Sequence, residues 1–252
     1  MPSIDENRTV FSDYDWSKAG DEWSESWGGT PALWHGSLMP RLSPFLPTAT
    51  VLEIAPGYGR FTQYLKDLAE RLVIVDLVPE CIDACRQRFA DAENIQFEVN
   101  DGKSLDFLEP GSVDLAFSFD SLVHVEHDVI GAYLKELGRV LADDGVIFFH
   151  HSNIAALTDP KTGELPFENK HWRASTMSGD RFRQQASAAG LTCVRQEIVN
   201  WGLPQLTDCF SLATRPGSRF AAAYERRENP AFMDEAERLR KTATFFATGA
   251  AG

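Results

Sequence analysis

Acidic side chains stand at or near the ends of four successive apolar segments of this 252-residue chain. They are Glu53, Asp76, Asp101 and Asp120. If the apolar segments are parallel strands, their carboxyl ends share one edge of a sheet, and that edge is where open α/β sheets bind ligands. Carboxylates there can accept hydrogen bonds from hydroxyl and amino groups. The spacing therefore predicts a binding crevice for a ligand rich in such donors.

A glycine turn follows the first of these segments, in "VLEIAPGYGR" at residues 51–60. A nicotinamide-binding turn has the pattern G-x-G-x-x-G, but Arg60, Phe61 and Thr62 follow the pair Gly57 and Gly59. Glu53 would also repel a pyrophosphate, whereas it suits a ligand that carries an ammonium group. We therefore expect the turn to hold something other than a dinucleotide.

The two acids that follow have different diagnostic value. Asp76 can accept from both hydroxyls of a ribose. Dehydrogenases also use such an acid, so Asp76 does not distinguish a dehydrogenase from another protein that binds a nucleoside. Asp101 is placed to accept from an exocyclic adenine amine, a contact with no obvious place in hydride transfer. Together they favour an adenosine-containing ligand.

Strand-like and helical segments alternate along the middle of the chain, which predicts an α/β fold with a parallel sheet wound by helices on both faces. Expected strands cover 50–55, 71–77, 95–101, 113–120 and 145–152. Expected helices cover 59–70, 79–91, 128–143 and 178–190. Gly145 is expected to end the third of these helices, and the fourth is expected to begin with a Ser178 cap and to end at Gly190. Residues 191–201 and 206–215 predict a final hairpin of two strands.

Both ends of the chain differ from this pattern, so we expect three regions. Residues 1–45 hold four of the six tryptophans and no strand pattern. They predict an arm that packs on the main domain or forms a lid over a pocket. Residues 46–215 form the central domain, and 216–252 a helical extension with a frayed tail.

The composition of the chain indicates which kinds of binding partner and which cellular location to expect. A net charge of −13 and a pI near 4.9 argue against nucleic acid, whose phosphates need clustered Lys and Arg. No segment has the length of apolar residues that a membrane span needs, and the polar start is unlike a signal peptide. Few cysteines suggest reduced thiols in the cytoplasm. Cys81 and Cys85 are interpreted as packing residues, and a homodimer is allowed but not required.

The motifs together resemble those of the class I S-adenosylmethionine-dependent methyltransferases. The matching residues are "LEIAPGYGR", "VDL" with Asp76, "NDG" with Asp101, and "FSFDSLVHV". The resemblance covers about residues 48–215 and implies a Rossmann-like, doubly wound, seven-stranded mixed sheet whose last strand is antiparallel. It implies S-adenosylmethionine as the cofactor. The cofactor-binding residues that it implies are Glu53, Ala55, Gly57, Gly59, Asp76, Leu77, Asp101, Gly102, Phe119 and Asp120.

A narrower resemblance links "FSFDSLVHVE", "FHHSN", "HWRASTMS" and "QEIVNWG…LTDC" to a bacterial subgroup of sugar and polysaccharide O-methyltransferases. It implies a saccharide or glycoside hydroxyl as the acceptor. Three alternatives stay open: a natural-product methyltransferase acting on a small phenol, carboxylate or amine, a nicotinamide-dependent reductase, and a cofactor-binding domain without turnover.

Three histidines near the expected strand ends are candidate general bases: His124, His151 and His150. Histidine suits this role near neutral pH. Because neighbours on a strand point to opposite faces, only one of the pair His150 and His151 should face the pocket. Some sugar O-methyltransferases also use a divalent cation. Here the fourth strand ends in Asp120, but the fifth ends in histidines and no acid, so a magnesium site is not favoured.

Overall fold

The five expected parallel strands form one half of the sheet. The structure is a computed structural model and describes residues 3–247. Its first strands run in parallel, in the spatial order β3-β2-β1-β4-β5. Their bounds are β1 (Thr48–Ile54), β2 (Ala69–Asp76), β3 (Ile95–Val99), β4 (Val113–Ser118) and β5 (Leu141–Ser152). Their carboxyl ends share one edge, as the acid spacing predicted.

Three further strands complete the sheet in the order β5-β7-β6-β8. The predicted hairpin is β6 (Thr192–Val199) and β7 (Asp208–Thr214), and β7 is antiparallel to both of its neighbours. The predicted number of seven strands is wrong, because β8 (Glu225–Asn229) pairs in parallel with β6. Its sequence "ERREN" has no apolar residue, so hydrophobic patterning could not reveal it. The antiparallel strand is therefore not the last one in the chain.

Helices cover both faces of the sheet, which confirms the doubly wound architecture. The strands alternate: Leu72 and Ile74 of β2 pack on one face, and Val73 and Val75 on the other. The helices of the central region are α4 (Thr62–Leu65), α5 (Pro79–Arg88), α6 (His127–Val140) and α7 (Gly179–Ala188). Helices α6 and α7 share one hydrophobic cluster, whereas α4 and α5 belong to the other.

Two predicted helices end or begin elsewhere. The segment 59–70 is helical only at α4, because the chain turns at Gly59 and β2 already starts at Ala69. Gly145 does not stop a helix: α6 ends at Val140, and Gly145 lies inside β5. A Cβ at Gly145 would lie 2.6 Å from the carbonyl oxygen of Val113, so glycine is needed there for the close approach of β4 and β5.

The N-terminal arm is helical or irregular, as expected. It contains α1 (Ile4–Ser12), a 3₁₀ segment at Asp21–Trp27, α2 (Thr30–Leu33), a π-helical turn at Trp34–Leu38, and α3 (Met39–Leu42), followed by a 3₁₀ turn at Ser43–Phe45. Helix α1 begins with a capping box in which Ser3 and Glu6 exchange hydrogen bonds. Trp27 and Trp34 are buried in the core.

The C-terminal extension adds α8 (Phe232–Phe246), which contacts the arm at Asp21–Trp27. Phe232 of α8 is fully buried beside Trp27 and Trp201. The end of the predicted tail, residues 248–252, lies outside the described residues. The boundaries at 45 and 215 remain predictions, although β8 joins the extension to the central sheet. Within residues 3–247, no helix has the length and apolar character to cross a membrane.

Candidate active site

The glycine turn after β1 is tied to the end of β2 by Asp76. Asp76 Oδ2 accepts from the backbone N–H of Gly57 at 3.2 Å, and its Oδ1 accepts from that of Val78 at 2.9 Å. Gly57 has a φ of +57°, which favours glycine. Burial raises the pKa of Asp76 to about 6. The turn and the acid expected to take the ribose hydroxyls thus form one unit.

Glu53 lies behind the same turn and is 2% exposed. Its Oε2 accepts from the Thr62 hydroxyl at 2.6 Å. Burial raises the pKa of Glu53 to about 7, and the Thr62 hydrogen bond opposes that rise. A carboxyl that titrates near neutral pH can neutralise a ligand ammonium group and release its own proton in doing so.

A cavity opens between the glycine turn, the ends of β2 and β4, and the N-terminal arm; we call it the inner cavity. Eight of the ten expected cofactor-binding residues line it. They are Glu53, Ala55, Gly57, Asp76, Leu77, Gly102, Phe119 and Asp120. The arm contributes Ile4, Asn7, Phe11, Trp16, Ala19 and Trp23 to the same lining. The arm therefore covers this cavity, although the cofactor role of each residue remains a prediction.

Gly59 and Asp101, the other two expected residues, do not line the inner cavity. Gly59 has a φ of +82°, and a Cβ there would lie 2.4 Å from the Phe89 ring. Its absent side chain thus serves helix packing. Asp101 is exposed, and its Oδ1 accepts from the backbone N–H groups of Lys103 and Ser104. These bonds lower the pKa of Asp101, and they stabilise the turn that presents Gly102.

Three non-glycine residues of the inner cavity have left-handed backbones, and Ala19 of the arm, with a φ of +54°, is one of them. Ala55 has a φ of +57° and Asp120 a φ of +61°. Such backbone is costly outside glycine and clusters at functional sites. At Asp120 the backbone N–H donates to His150 Nδ1 at 3.1 Å. A buried histidine thus stabilises the conformation that ends β4.

A second, outer cavity of about 650 Å³ adjoins the first. Asn7, Phe11 and Trp23 of the arm line both cavities. The other residues of the outer cavity are Glu6, Val10, Tyr14, His124, Glu126, Asn169, Trp172, Arg173 and Ser175. The arm thus forms a shared wall, with aromatic rings next to polar and charged groups.

His124, half-buried, is the candidate base that lines a cavity. Its Nδ1 lies 3.2 Å from the carbonyl oxygen of Trp172. A carbonyl can only accept, so Nδ1 carries the proton and Nε2 the lone pair. Burial lowers the pKa of His124 to about 4, with a smaller effect from the Arg173 charge. The imidazole is therefore neutral at pH 7 and can accept a proton.

His150 and His151 point to opposite faces of β5, as strand geometry predicted, and both are completely buried. Each ring engages both nitrogens with the protein: His150 Nε2 lies 2.9 Å from Asp208 Oδ1, and His151 Nε2 lies 2.8 Å from Ser211 Oγ. Burial lowers the pKa of both rings, that of His151 to about 4. The His151 ring also stacks on Phe182 under α7. This geometry does not support either as the base.

A buried charged network links His150 to the outer cavity, and sequence reasoning missed most of it. Arg173 Nε lies 2.9 Å from Asp208 Oδ1, and Arg60 Nη2 lies 2.9 Å from Asp120 Oδ2. All four side chains are at most 10% exposed. The network lowers the pKa of Asp208 to about 2 against the raising effect of burial. "LTDC" carries part of the subgroup resemblance, but no role followed from it for Asp208.

The structure describes no metal centre. Within residues 3–247, no three His, Cys, Asp or Glu side chains are arranged to hold a metal ion. Cys81 and Cys85 are buried in α5, and desolvation raises the pKa of both thiols. Their packing role agrees with the interpretation from the sequence.

Comparisons with known proteins agree on the class. Residues 51–145 match the family model described as "Methyltransferase domain". Phosphoethanolamine N-methyltransferase 1 of Caenorhabditis elegans is 27% identical over 128 residues, which cover 51% of this chain and 26% of that protein. A probable ribosomal RNA small subunit methyltransferase A of Methanosarcina mazei is 34% identical over 86 residues, covering 31% of this chain and 32% of that protein.

A solved structure described as a complex of DhpI with SAH has the same fold. It is 21% identical, with a TM-score of 0.54, and the likeness covers 86% of this chain and 96% of that one. The chain spans about a quarter to a third of the two curated relatives above. Residues 51–145 therefore match a methyltransferase domain, and these likenesses agree with the predicted class, an S-adenosylmethionine-dependent methyltransferase, and with its predicted cofactor. The nicotinamide alternative finds no support.

Proposed function

We propose that the chain transfers a methyl group from S-adenosylmethionine, held in the inner cavity, to a hydroxyl group of a saccharide or glycoside in the outer cavity. The observation that carries this proposal is the adjacency of the two cavities, which share Asn7, Phe11 and Trp23 as a wall. One cavity carries the cofactor motifs, and the other carries a neutral histidine. The fit to a cofactor rests on Glu53 and Asp76, whose carboxyls line a cleft with a glycine turn.

Glu53, Asp76 and His124 have different proposed roles in the reaction. Glu53 would neutralise the cofactor's ammonium group, and Asp76 would accept from its ribose hydroxyls. Bound S-adenosylmethionine supplies an electrophilic methyl group on a sulfonium. Attack by the acceptor oxygen would form a C–O bond at that methyl group, and the electron pair of the broken C–S bond would remain on sulfur, giving the neutral thioether S-adenosylhomocysteine. His124 Nε2 takes the hydroxyl proton, a step worth about 10²- to 10⁴-fold in rate.

The outer cavity supports a ring-shaped, hydroxyl-bearing acceptor. Phe11, Tyr14, Trp23 and Trp172 give it aromatic faces, on which the C–H faces of a sugar ring can pack. Asn169 and Arg173 bring polar groups to the same cavity. Such a combination of apolar faces and a few polar groups is usual in sites for small ligands.

A small amine is the second candidate acceptor. It is favoured by the relative named phosphoethanolamine N-methyltransferase, which matches half of this chain. Glu6 and Glu126 also line the outer cavity. Glu126, however, already accepts from the backbone N–H groups of Ser175 and Thr176, so it is less able to serve a ligand cation. We therefore place the hydroxyl acceptor first.

Location and partners follow from the same proposal. The four cysteines are free and buried, which supports a reducing, cytoplasmic location. The acidic chain is proposed to act on a small molecule or saccharide and not on nucleic acid. A homodimer is compatible with it.

Two measurements test the proposal. Calorimetry should show micromolar binding of S-adenosylmethionine and none of NADH. Formation of S-adenosylhomocysteine is then followed with methyl glycosides, a catechol and phosphoethanolamine as separate acceptors. Turnover of a glycoside supports the proposal. Turnover of phosphoethanolamine alone would overturn the acceptor in favour of an amine, and turnover of the catechol alone would overturn it in favour of a phenol.

A further inference from the structure

The loop at residues 169–173 carries an exposed aromatic ring on a strained backbone. Trp172 is 68% exposed, has a φ of +49°, and lines the outer cavity. A bulky residue in the left-handed region is a genuine outlier, and such strain persists only where the surroundings hold it in place. An apolar ring of this size in solvent also has no packing function of its own. The strained backbone and the solvent-exposed ring are both unfavourable, which indicates that Trp172 has a function that compensates for them.

Asn169 holds this loop in its conformation. Its Oδ1 accepts from the backbone N–H of Arg173 at 2.9 Å, and its Nδ2 donates to the carbonyl of Arg173 at 2.7 Å. The N–H of Trp172 also donates to the carbonyl of Asn169 at 3.3 Å. One side chain thus closes the loop around Trp172.

The loop is joined to the segment that carries His124. The Trp172 carbonyl accepts from His124 Nδ1 at 3.2 Å, and the N–H of Ala174 donates to the carbonyl of Val123 at 2.8 Å. The strained conformation therefore does two things at once. It directs a carbonyl to the ring that is to accept a proton, and it leaves the indole at the cavity.

We propose that the Trp172 indole is the platform on which the acceptor ring stacks, and that Asn169 is the positioning residue that holds it there. This proposal rests on the proposed function, because it takes the outer cavity as the acceptor site. Phe11, Tyr14 and Trp23 of the arm line the same cavity as Trp172, so further aromatic rings are available to a ring that stacks there. The acceptor class is therefore cyclic: a pyranoside and not an open-chain polyol.

The test compares Trp172→Asn with Trp172→Phe. Asparagine tolerates a left-handed backbone, so the first variant removes the ring while keeping the loop. The second keeps a ring. His171→Ala, which changes the neighbouring side chain outside the cavity lining, is the matched control. The acceptors are methyl glycosides of glucose, galactose, mannose and rhamnose, with sorbitol as the open-chain comparison.

Trp172→Asn is expected to raise the KM for a methyl glycoside about tenfold. The kcat and the affinity for S-adenosylmethionine should stay unchanged, and Trp172→Phe should restore most of the KM. In NMR spectra the C–H protons of the bound glycoside should shift upfield through the indole ring current, and Trp172→Asn should abolish this shift. A merely structural tryptophan would not produce that shift.

Asn169→Ala should change both KM and kcat. The released loop would no longer hold the stacking ring, which affects KM, or the carbonyl that orients His124, which affects kcat. The proposal is overturned if Trp172→Asn leaves the KM and the upfield shift as in the wild type, or if sorbitol is methylated as well as the glycosides. A wild-type protein that binds S-adenosylmethionine yet methylates no glycoside would instead refute the proposed function, and the Trp172 platform with it.

Discussion

His150 Nε2 lies 2.9 Å from Asp208 Oδ1, and both side chains are fully buried. Because the Asp120 N–H donates to His150 Nδ1, the second nitrogen must carry the proton that points to Asp208. A single hydrogen-bonded chain therefore runs from β7 through β5 to the strained end of β4. It fixes a wall of the inner cavity without a charge on the histidine.

Removal of Asp208 should destabilise the protein strongly. Asp208→Ala leaves the Arg173 guanidinium without its close partner in the interior, and breaking such a buried pair costs about 3–5 kcal/mol of unfolding free energy. Asp208→Asn should cost less, because an amide oxygen can still accept from His150. Urea unfolding measures both values.

Asp83→Ala is the matched control for that experiment. Asp83 pairs with Arg86 at the surface, where both side chains are more than half exposed, and such a pair contributes less than about 1 kcal/mol. Equal losses for the Asp83 and Asp208 variants would contradict a stabilising role for the buried network.

The stability of the ligand-free protein should fall as pH rises toward neutrality, in part because of Glu53. Burial raises the folded-state pKa of Glu53 from 4.5 to about 7. The folded state therefore holds a proton that the unfolded state has lost between these values, and the unfolding free energy decreases with pH across that window. Glu53→Gln should reduce this decline and leave the part due to Asp76, whose pKa burial raises to about 6, whereas Glu109→Gln, at an exposed glutamate, should leave the decline unchanged.

The same titration should appear in cofactor binding. If Glu53 neutralises the ligand ammonium, S-adenosylmethionine should bind more tightly as pH rises from 5 to 7.5, with proton release detected by calorimetry in two buffers. Glu53→Gln should weaken binding and abolish the proton release. An unchanged affinity in this variant would refute the role given to Glu53.

His124→Ala should lower kcat by about 10²- to 10⁴-fold while leaving the affinity for S-adenosylmethionine intact, because the lost group accepts a proton and lines only the outer cavity. The pKa of about 4 predicts a rate that needs the unprotonated ring, rises through pH 4, and stays flat near neutrality. His35→Ala, at an exposed histidine, is the control. An active His124→Ala enzyme would show that no base acts at this position.

Much of the fold could be read from the sequence because its signals are local. Four of the five strands of the parallel half are apolar runs with an acid at or near their ends, and helix α7 has a serine cap and a glycine stop, as expected. Strand β8 had no such signal: it is polar, and its pairing with β6 depends on contacts between distant parts of the chain. The prediction that Gly145 ends a helix was wrong for a similar reason, because this glycine allows the close approach of two strands, which is not a local signal.

The site divides in the same way. The glycine turn and the acids were recognisable because each follows a strand directly. The sequence could not show which of the three histidines is the best candidate base, because this depends on which side chains contact each ring in the folded chain. The contacts of His151 with Ser211 and of His150 with Asp208 join strands that are about 60 residues apart in sequence. The other nitrogen of His151 contacts the carbonyl of the neighbouring Ser152. Only the folded chain shows that His124 is the one that reaches a cavity.

Trp16 closes the arm over the glycine turn, and its removal should speed the release of the cofactor. The Trp16 ring stacks on Tyr58 at 4.7 Å with an interplanar angle of 4°, and it packs against Trp23 at 5.4 Å. A Cβ at Gly57 would lie 2.8 Å from this ring. Because Trp16 also lines the inner cavity, Trp16→Ala should raise the dissociation rate of S-adenosylmethionine about tenfold. Stopped-flow fluorescence measures that rate.

Gly57→Ala offers a second test of the same contact. The new methyl group would push on the Trp16 ring and strain a left-handed backbone, so both stability and cofactor affinity should fall. Adding Trp16→Ala should relieve the clash but not the backbone strain, and the double variant should therefore recover only part of the stability. Phe245→Ala, at an exposed ring far along α8, should change neither quantity. Full recovery in the double variant would mean that the backbone of Gly57 carries no strain cost, and no recovery would mean that Trp16 does not rest on the turn.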